Sequence, residues 1–123
     1  MARILVCDDE EAMRSLVARA MRLEGHEVML AADGAEALEV MQAQGGADLL
    51  ITDIRMPVMD GIALALNVAR DFPGTMILMI TGYAEQRERA ADLRAIVFDV
   101  ILKPFSLEDL CDKARLALAA RVR

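Results

Sequence analysis

Four apolar runs in this chain each close on residues that could handle a phosphoryl group. Arg3-Ile4-Leu5-Val6-Cys7 leads into Asp8-Asp9, and Leu49-Leu50-Ile51-Thr52 leads into Asp53. Met76 to Ile80 leads into Thr81, and Ile96 to Leu102 leads into Lys103. An aspartate carboxylate can accept a phosphoryl group as an acyl phosphate. The incoming group is already anionic, so the acceptor needs cationic help. Magnesium, a hard cation that takes oxygen ligands, can bridge carboxylates and a phosphate oxygen. Asp8 and Asp9 suit that metal, and Asp53 suits the nucleophile. Lys103 can pair with one phosphate oxygen, while the hydroxyl and amide of Thr81 can bond another.

These residues act together only if the fold gathers them. Short apolar runs separated by helical patterns read as buried parallel strands. In an open parallel sheet, ligands bind outside the carboxyl ends of the strands. Between the runs, Met13, Leu16, Val17, Ala20 and Met21 recur at helical spacing up to Gly25. Val28 to Ala31 reads as a further short strand, with Asp33-Gly34 as a turn signal. Ala37, Leu38 and Met41 mark a second helix that Gly45-Gly46 closes, and Asp60-Gly61 opens a third. The stretch Glu85 to Arg94 is densely charged and predicts the weakest helix. Leu107, Leu110, Cys111, Ala114 and Leu118 predict an amphipathic last helix with Ser106 as its N-cap. The chain therefore reads as α/β, one doubly wound domain over residues 1–123 with a five-stranded parallel sheet.

Each chemical element also has an ordinary explanation. Asp8-Asp9-Glu10-Glu11 would favour a helix by lying at its positive end. Thr81-Gly82 could be a plain turn, and Lys103 a surface lysine before Pro104. Their co-location at successive strand ends carries the phosphoryl reading; no residue carries it alone.

Composition narrows the classes. The 123 residues are 56% hydrophobic but only 3% aromatic, so the core is aliphatic and methionine-rich. Met13, Met21, Met41, Met76 and Met79 fall at core-like positions, while Met56 and Met59 flank the loop after Asp53, where a partner helix could meet them. A net charge of −6 argues against direct nucleic-acid binding, which needs a basic surface. No apolar stretch approaches the roughly 20 residues needed to cross a bilayer, and the first strand begins too early for a signal peptide. A cytoplasmic location is expected, with no membrane contact. Cys7 and Cys111 lack CxxC spacing and read as buried thiols. His26, the sole histidine, reads as a solvated turn residue.

Asp8-Asp9, Asp53 followed by Met56-Pro57 and Asp60-Gly61, Thr81-Gly82 and Lys103-Pro104-Phe105 together resemble the receiver domain of bacterial two-component response regulators. The resemblance covers essentially the whole chain. It implies a flavodoxin-like (βα)5 fold with strand order 2-1-3-4-5. It implies that Asp53 accepts a phosphoryl group from a phosphohistidine donor, a sensor histidine kinase or histidine phosphotransfer protein. It places Mg2+ (or Mn2+) on Asp8, Asp9, Asp53 and the backbone carbonyl of Arg55. It assigns the phosphate oxygens to Thr81 and Lys103, and suggests a cis peptide between Lys103 and Pro104. The face built from the fourth helix, fifth strand and fifth helix would meet an output protein, as a monomer or a phosphorylation-dependent dimer.

Three positions depart from the family or tune it. Many receivers carry a tyrosine or phenylalanine three residues before the lysine, which turns inward on activation; here that position is Val100. Phe98 is expected to pack in the core on the same side as Val100. The resemblance also gives Arg55 and Tyr83 a role in phosphoryl lifetime, and both are bulky enough to hinder an attacking water. Met1 directly before the first strand and a single helix after Lys103 lead us to expect a stand-alone, non-enzymatic switch, at most self-phosphorylating and autodephosphorylating. The alternatives are a receiver fragment of a larger regulator or hybrid histidine kinase, and a Mg2+-dependent aspartyl-phosphate phosphohydrolase. Such hydrolases usually carry their two acids two residues apart after the first strand, whereas Asp8 and Asp9 are adjacent.

Overall fold

Side-chain alternation along each apolar run sends successive residues to opposite faces of the sheet, so a run buried on both faces needs helices on both. The computed structural model describes residues 1–121; the last two residues of the expected domain lie outside the described residues. The chain alternates β1 (Arg3–Cys7), α1 (Glu11–Leu23), β2 (Glu27–Ala31), α2 (Gly34–Gln44), β3 (Leu49–Asp53), α3 (Gly61–Asp71), β4 (Met76–Thr81), α4 (Ala84–Ala91), β5 (Asp99–Leu102) and α5 (Leu107–Ala119). The five strands form one parallel sheet in the order β2-β1-β3-β4-β5, as the resemblance implied.

Two cores result from the alternation. Ile4, Val6, Leu49, Ile51, Leu78 and Ile80 face α1 and α5, where Val17, Met21, Leu110 and Ala114 meet them. Leu5, Cys7, Leu50, Ile77 and Met79 face the other side, against Met41, Leu64 and Val68 of α2 and α3. Most of these side chains are fully buried, so truncating one such leucine or isoleucine to alanine would cost about 2–5 kcal/mol.

Register then aligns the strand ends. Cys7 pairs with Thr52, Asp53 with Ile80, and Thr81 with Leu102. The residues just beyond these pairs therefore emerge at one edge.

Local signals set the helix starts. Asp33, read as a turn residue, is the N-cap of α2, accepting from the Glu36 amide at 2.8 Å. Asp60 caps α3 through the Ala63 amide at 2.8 Å, and Ser106 caps α5 through the Asp109 amide at 3.0 Å. Helix α4 has no side-chain cap, and only Ala90 is buried in it.

Three expectations need correction. The last strand begins at Asp99 rather than Ile96, because the Ile96 and Val97 amides both bond the Leu93 carbonyl and keep the chain in a turn. Phe98 therefore precedes the strand, and its side chain is 37% exposed at the amino-terminal edge instead of packing in the core. His26 is not a free turn residue either: it is half-buried, and its Nδ1 accepts from the Ala2 amide at 3.1 Å.

Candidate functional site

Asp53 closes the central strand with its backbone fixed from two sides. The Thr52 hydroxyl donates to the Asp53 carbonyl at 2.8 Å. Gly61 begins α3 hard against the same carbonyl, so that a Cβ at position 61 would overlap it and come within 2.9 Å of the Ile54 Cα. The Gly61 amide donates to the Ile54 carbonyl at 2.7 Å. Gly34 grips the far end of the loop, its amide bonding the Met59 carbonyl at 3.2 Å. Between these grips Val58 takes a φ of 68°, a conformation that β-branched residues rarely adopt.

The Asp53 carboxylate is divided between two partners. Its Oδ1 accepts from the Ile54 amide at 2.8 Å, and its Oδ2 lies 3.4 Å from the Lys103 ammonium. Asp8 is nearly fully buried; its Oδ1 accepts from the Glu10 amide at 2.9 Å, and its Oδ2 is 3.9 Å from the same ammonium. The Arg14 guanidinium donates to the Asp8 backbone carbonyl at 2.8 Å, holding the turn that carries both acids. Asp9 is exposed. Asp8, Asp9 and Asp53 each offer an oxygen within 4.8 Å of the others, a donor set suited to a hard divalent cation.

Burial pushes the Asp8 carboxyl up to about 6, with Asp53 adding to the rise; the Glu10 amide and Lys103 oppose it. Burial also raises Asp53, against the pull of Lys103. Both shifts have the direction expected of crowded carboxylates that one ammonium only partly neutralises. Cys7, one residue before Asp8, is buried, which drives its thiol up to about 12 and keeps it protonated. It contacts the Met56 thioether at 3.4 Å, so Met56 turns inward, and Met59 packs against the same core rather than projecting towards a partner.

A cavity of about 820 Å³ opens above these acids. Asp9, Asp53, Arg55, Tyr83 and Lys103 line it, as the sequence grouped them. Thr81 lies just beneath, fully buried at the end of β4, where its hydroxyl accepts from the Tyr83 amide at 3.2 Å. The Lys103 amide donates to the Thr81 carbonyl at 2.8 Å, tying the two strand ends, and the Lys103–Pro104 peptide is cis. The Arg55 guanidinium stacks 4.5 Å from the centroid of the Tyr83 ring at the cavity mouth. Val100 stands apart, half-buried in β5 against the α2–α3 core.

Sequence reasoning missed Gln86 and Arg89, which also line the cavity. The i,i+3 spacing of Gln86 and Arg89 places both on one face of α4, just after Tyr83 at its N-cap, and that signal was available. It also missed Arg14 behind Asp8.

The family model for the response regulator receiver domain matches residues 4–115. Response regulator MprA of Mycobacterium tuberculosis (strain ATCC 25177 / H37Ra) is 40% identical over 120 residues, covering 94% of this chain and 50% of that protein. The chain spans half or less of the length of its curated relatives. Among solved structures, a response regulator receiver domain protein (CheY-like) from Methanospirillum hungatei JF-1 matches with a TM-score of 0.88 and 31% identity, covering 97% of this chain and 94% of that one. Response regulator protein TrrA from Thermotoga maritima, in complex with Mg(2+)-BeF, matches with a TM-score of 0.84 and 31% identity over 95% and 99% of the two chains.

Proposed function

The chain belongs to the response regulator receiver domain family, and on that premise we propose that Asp53 is its phosphoacceptor. One observation carries the assignment. Asp53 ends the central strand with one carboxylate oxygen held by the Ile54 amide and the other facing Lys103, beside two further acids. The Oδ2 atom attacks phosphorus; the new O–P bond forms as the P–N bond of a phosphohistidine donor breaks, and its electron pair stays on the imidazole. Lys103, already 3.4 Å away, pairs with a phosphoryl oxygen as the group arrives. Thr81 releases its hydroxyl from the Tyr83 amide to bond another.

Asp8, Asp9 and Asp53, with the backbone carbonyl of Arg55, would hold Mg2+ (or Mn2+), which supplies positive charge to the transferring oxygens. Arg55 and Tyr83, stacked at the mouth, hinder water and so lengthen the life of the acyl phosphate. The family is a signalling domain, and the proposed chemistry is one phosphoryl group per chain rather than turnover of a substrate. Residues 1–123 act as one receiver domain in this reading. A histidine kinase or phosphotransfer protein is the donor, and the α4–β5–α5 face is the output surface. No helix among the described residues is long and apolar enough to cross a membrane, and the assigned location is cytoplasmic.

The test is mass spectrometry after incubation with magnesium and acetyl phosphate. The wild-type chain should gain one phosphoryl mass and Asp53→Ala none. A phosphorylated Asp53→Ala protein, or no gain in the wild type with either this donor or a phosphohistidine donor, would reject the assignment.

A further inference from the structure

The opposite wall of the cavity raises a question that Val100 sharpens. A valine has no ring to swing inward, so the state of Asp53 must reach α4 by another route. Helix α4 is poorly anchored by apolar contact: Ala90 is its only buried residue. Its cavity-facing side is instead held by polar contacts. Arg89 supplies the contact that leaves the helix, its guanidinium lying 3.7 Å from Asp60 Oδ2, while its 2.7 Å bond to the Gln86 side-chain oxygen stays within α4. Asp60 belongs to the other wall, where its second oxygen caps α3. The Arg89–Asp60 pair is therefore a bridge across the mouth, from the start of α3 to the second turn of α4.

That bridge is loose. At 3.7 Å it is longer than a charge-assisted hydrogen bond, and the side chains are 53% and 36% exposed, so solvent screens it. A phosphoryl group on Asp53 would change the competition. It brings about two negative charges and three acceptor oxygens in place of one carboxylate, into the same cavity that Arg89 lines.

We propose that Asp60 and a phosphoryl group on Asp53 compete for the Arg89 guanidinium, and that this exchange moves α4. Arg89 is a positioning residue here: it reads charge at the acceptor and transmits it to the helix that carries it. The inference rests on the assignment of Asp53 as acceptor and adds the regulation of that site.

The experiment uses magnesium with beryllofluoride, a phosphoryl mimic, and follows affinity together with the amide resonances of residues 84–91. The wild-type protein should bind and shift those resonances. Asp60→Asn keeps the α3 cap, because an asparagine oxygen caps as well as aspartate, but gives up the charge. It should tighten beryllofluoride binding about two- to five-fold, the range expected for a freed, half-exposed ion-pair partner. Arg89→Gln should lose the α4 shifts, and in the double variant the advantage of Asp60→Asn should disappear. Arg89→Lys should restore part of both. Unchanged α4 shifts in Arg89→Gln, or a gain from Asp60→Asn that persists without Arg89, would overturn the proposal while leaving the acceptor intact. No beryllofluoride binding by the wild type would overturn the acceptor assignment, and this inference with it.

Discussion

The acid-bearing wall and the α4 wall face each other across one cavity, yet opposite means hold them in place. On the first, Asp53 ends a buried central strand, its carbonyl covered by Gly61 and the Thr52 hydroxyl, and Asp8 is held through both backbone and side chain. On the second, α4 buries one alanine and is tethered by Arg89 and by the stacked pair of Arg55 and Tyr83 at its N-cap. Chemistry needs the reacting atoms fixed to within a fraction of an ångström; a signal needs something that can move at low cost. Under the proposed function, the packed wall would carry the phosphoryl chemistry and the polar one the readout.

The strongest way to break that contrast is to disturb the packed wall. Gly61→Ala forces a methyl group into backbone rather than into a flexible side chain, and should destabilise the protein by about 3 kcal/mol in denaturant titration. It should also cut phosphoryl uptake from acetyl phosphate. Near-wild-type stability would mean that the loop yields and the wall is not rigid.

A smaller effect comes from relieving its charge. Three carboxylates crowd together while the Lys103 ammonium pairs with only two of them, Asp8 and Asp53, so binding a divalent cation should stabilise the fold. At cation concentrations about tenfold above Kd the gain is about 1.4 kcal/mol, or roughly 5 °C in melting temperature. Asp9→Asn, at an exposed position, should abolish most of that rise without unfolding the chain. If magnesium, manganese and calcium all leave the melting temperature unchanged, the three acids do not form a cation site.

The smallest expected effect lies at the mouth. Removing the stacked pair in Arg55→Ala/Tyr83→Ala should speed loss of the phosphoryl group about three-fold and leave the melting temperature within about 1 °C, as befits exposed side chains. An unchanged decay rate would show that the pair does not hinder water.

The fold was legible because β1, β3 and β4 are buried on both faces and so appear as apolar runs, each stopped by a polar residue. Asp8, Asp9, Asp53 and Lys103 could be grouped from that punctuation alone. Thr81 was grouped with them as well, but its depth beneath the cavity was not legible. What stayed hidden depends on geometry that hydrophobic period does not encode. The Arg89–Asp60 bridge joins two partly exposed side chains far apart in sequence, and nothing in either segment marks the other. His26 finds the Ala2 amide only once β1 and β2 lie side by side. The misplaced start of β5 has the same origin: Ile96, Val97 and Phe98 read as strand, but two amides turning back to Leu93 decide otherwise.

The overlap that a side chain at position 61 would make with the Asp53 carbonyl has a consequence for redesign. Moving the acceptor acid one place along β3 would send its carboxylate to the opposite face of the sheet, and would leave the glycine against the wrong peptide. The start of α3 thus works as a ruler laid along the chain. In a new scaffold the acid and its glycine could be transplanted only as a unit, with the spacing from 53 to 61 intact.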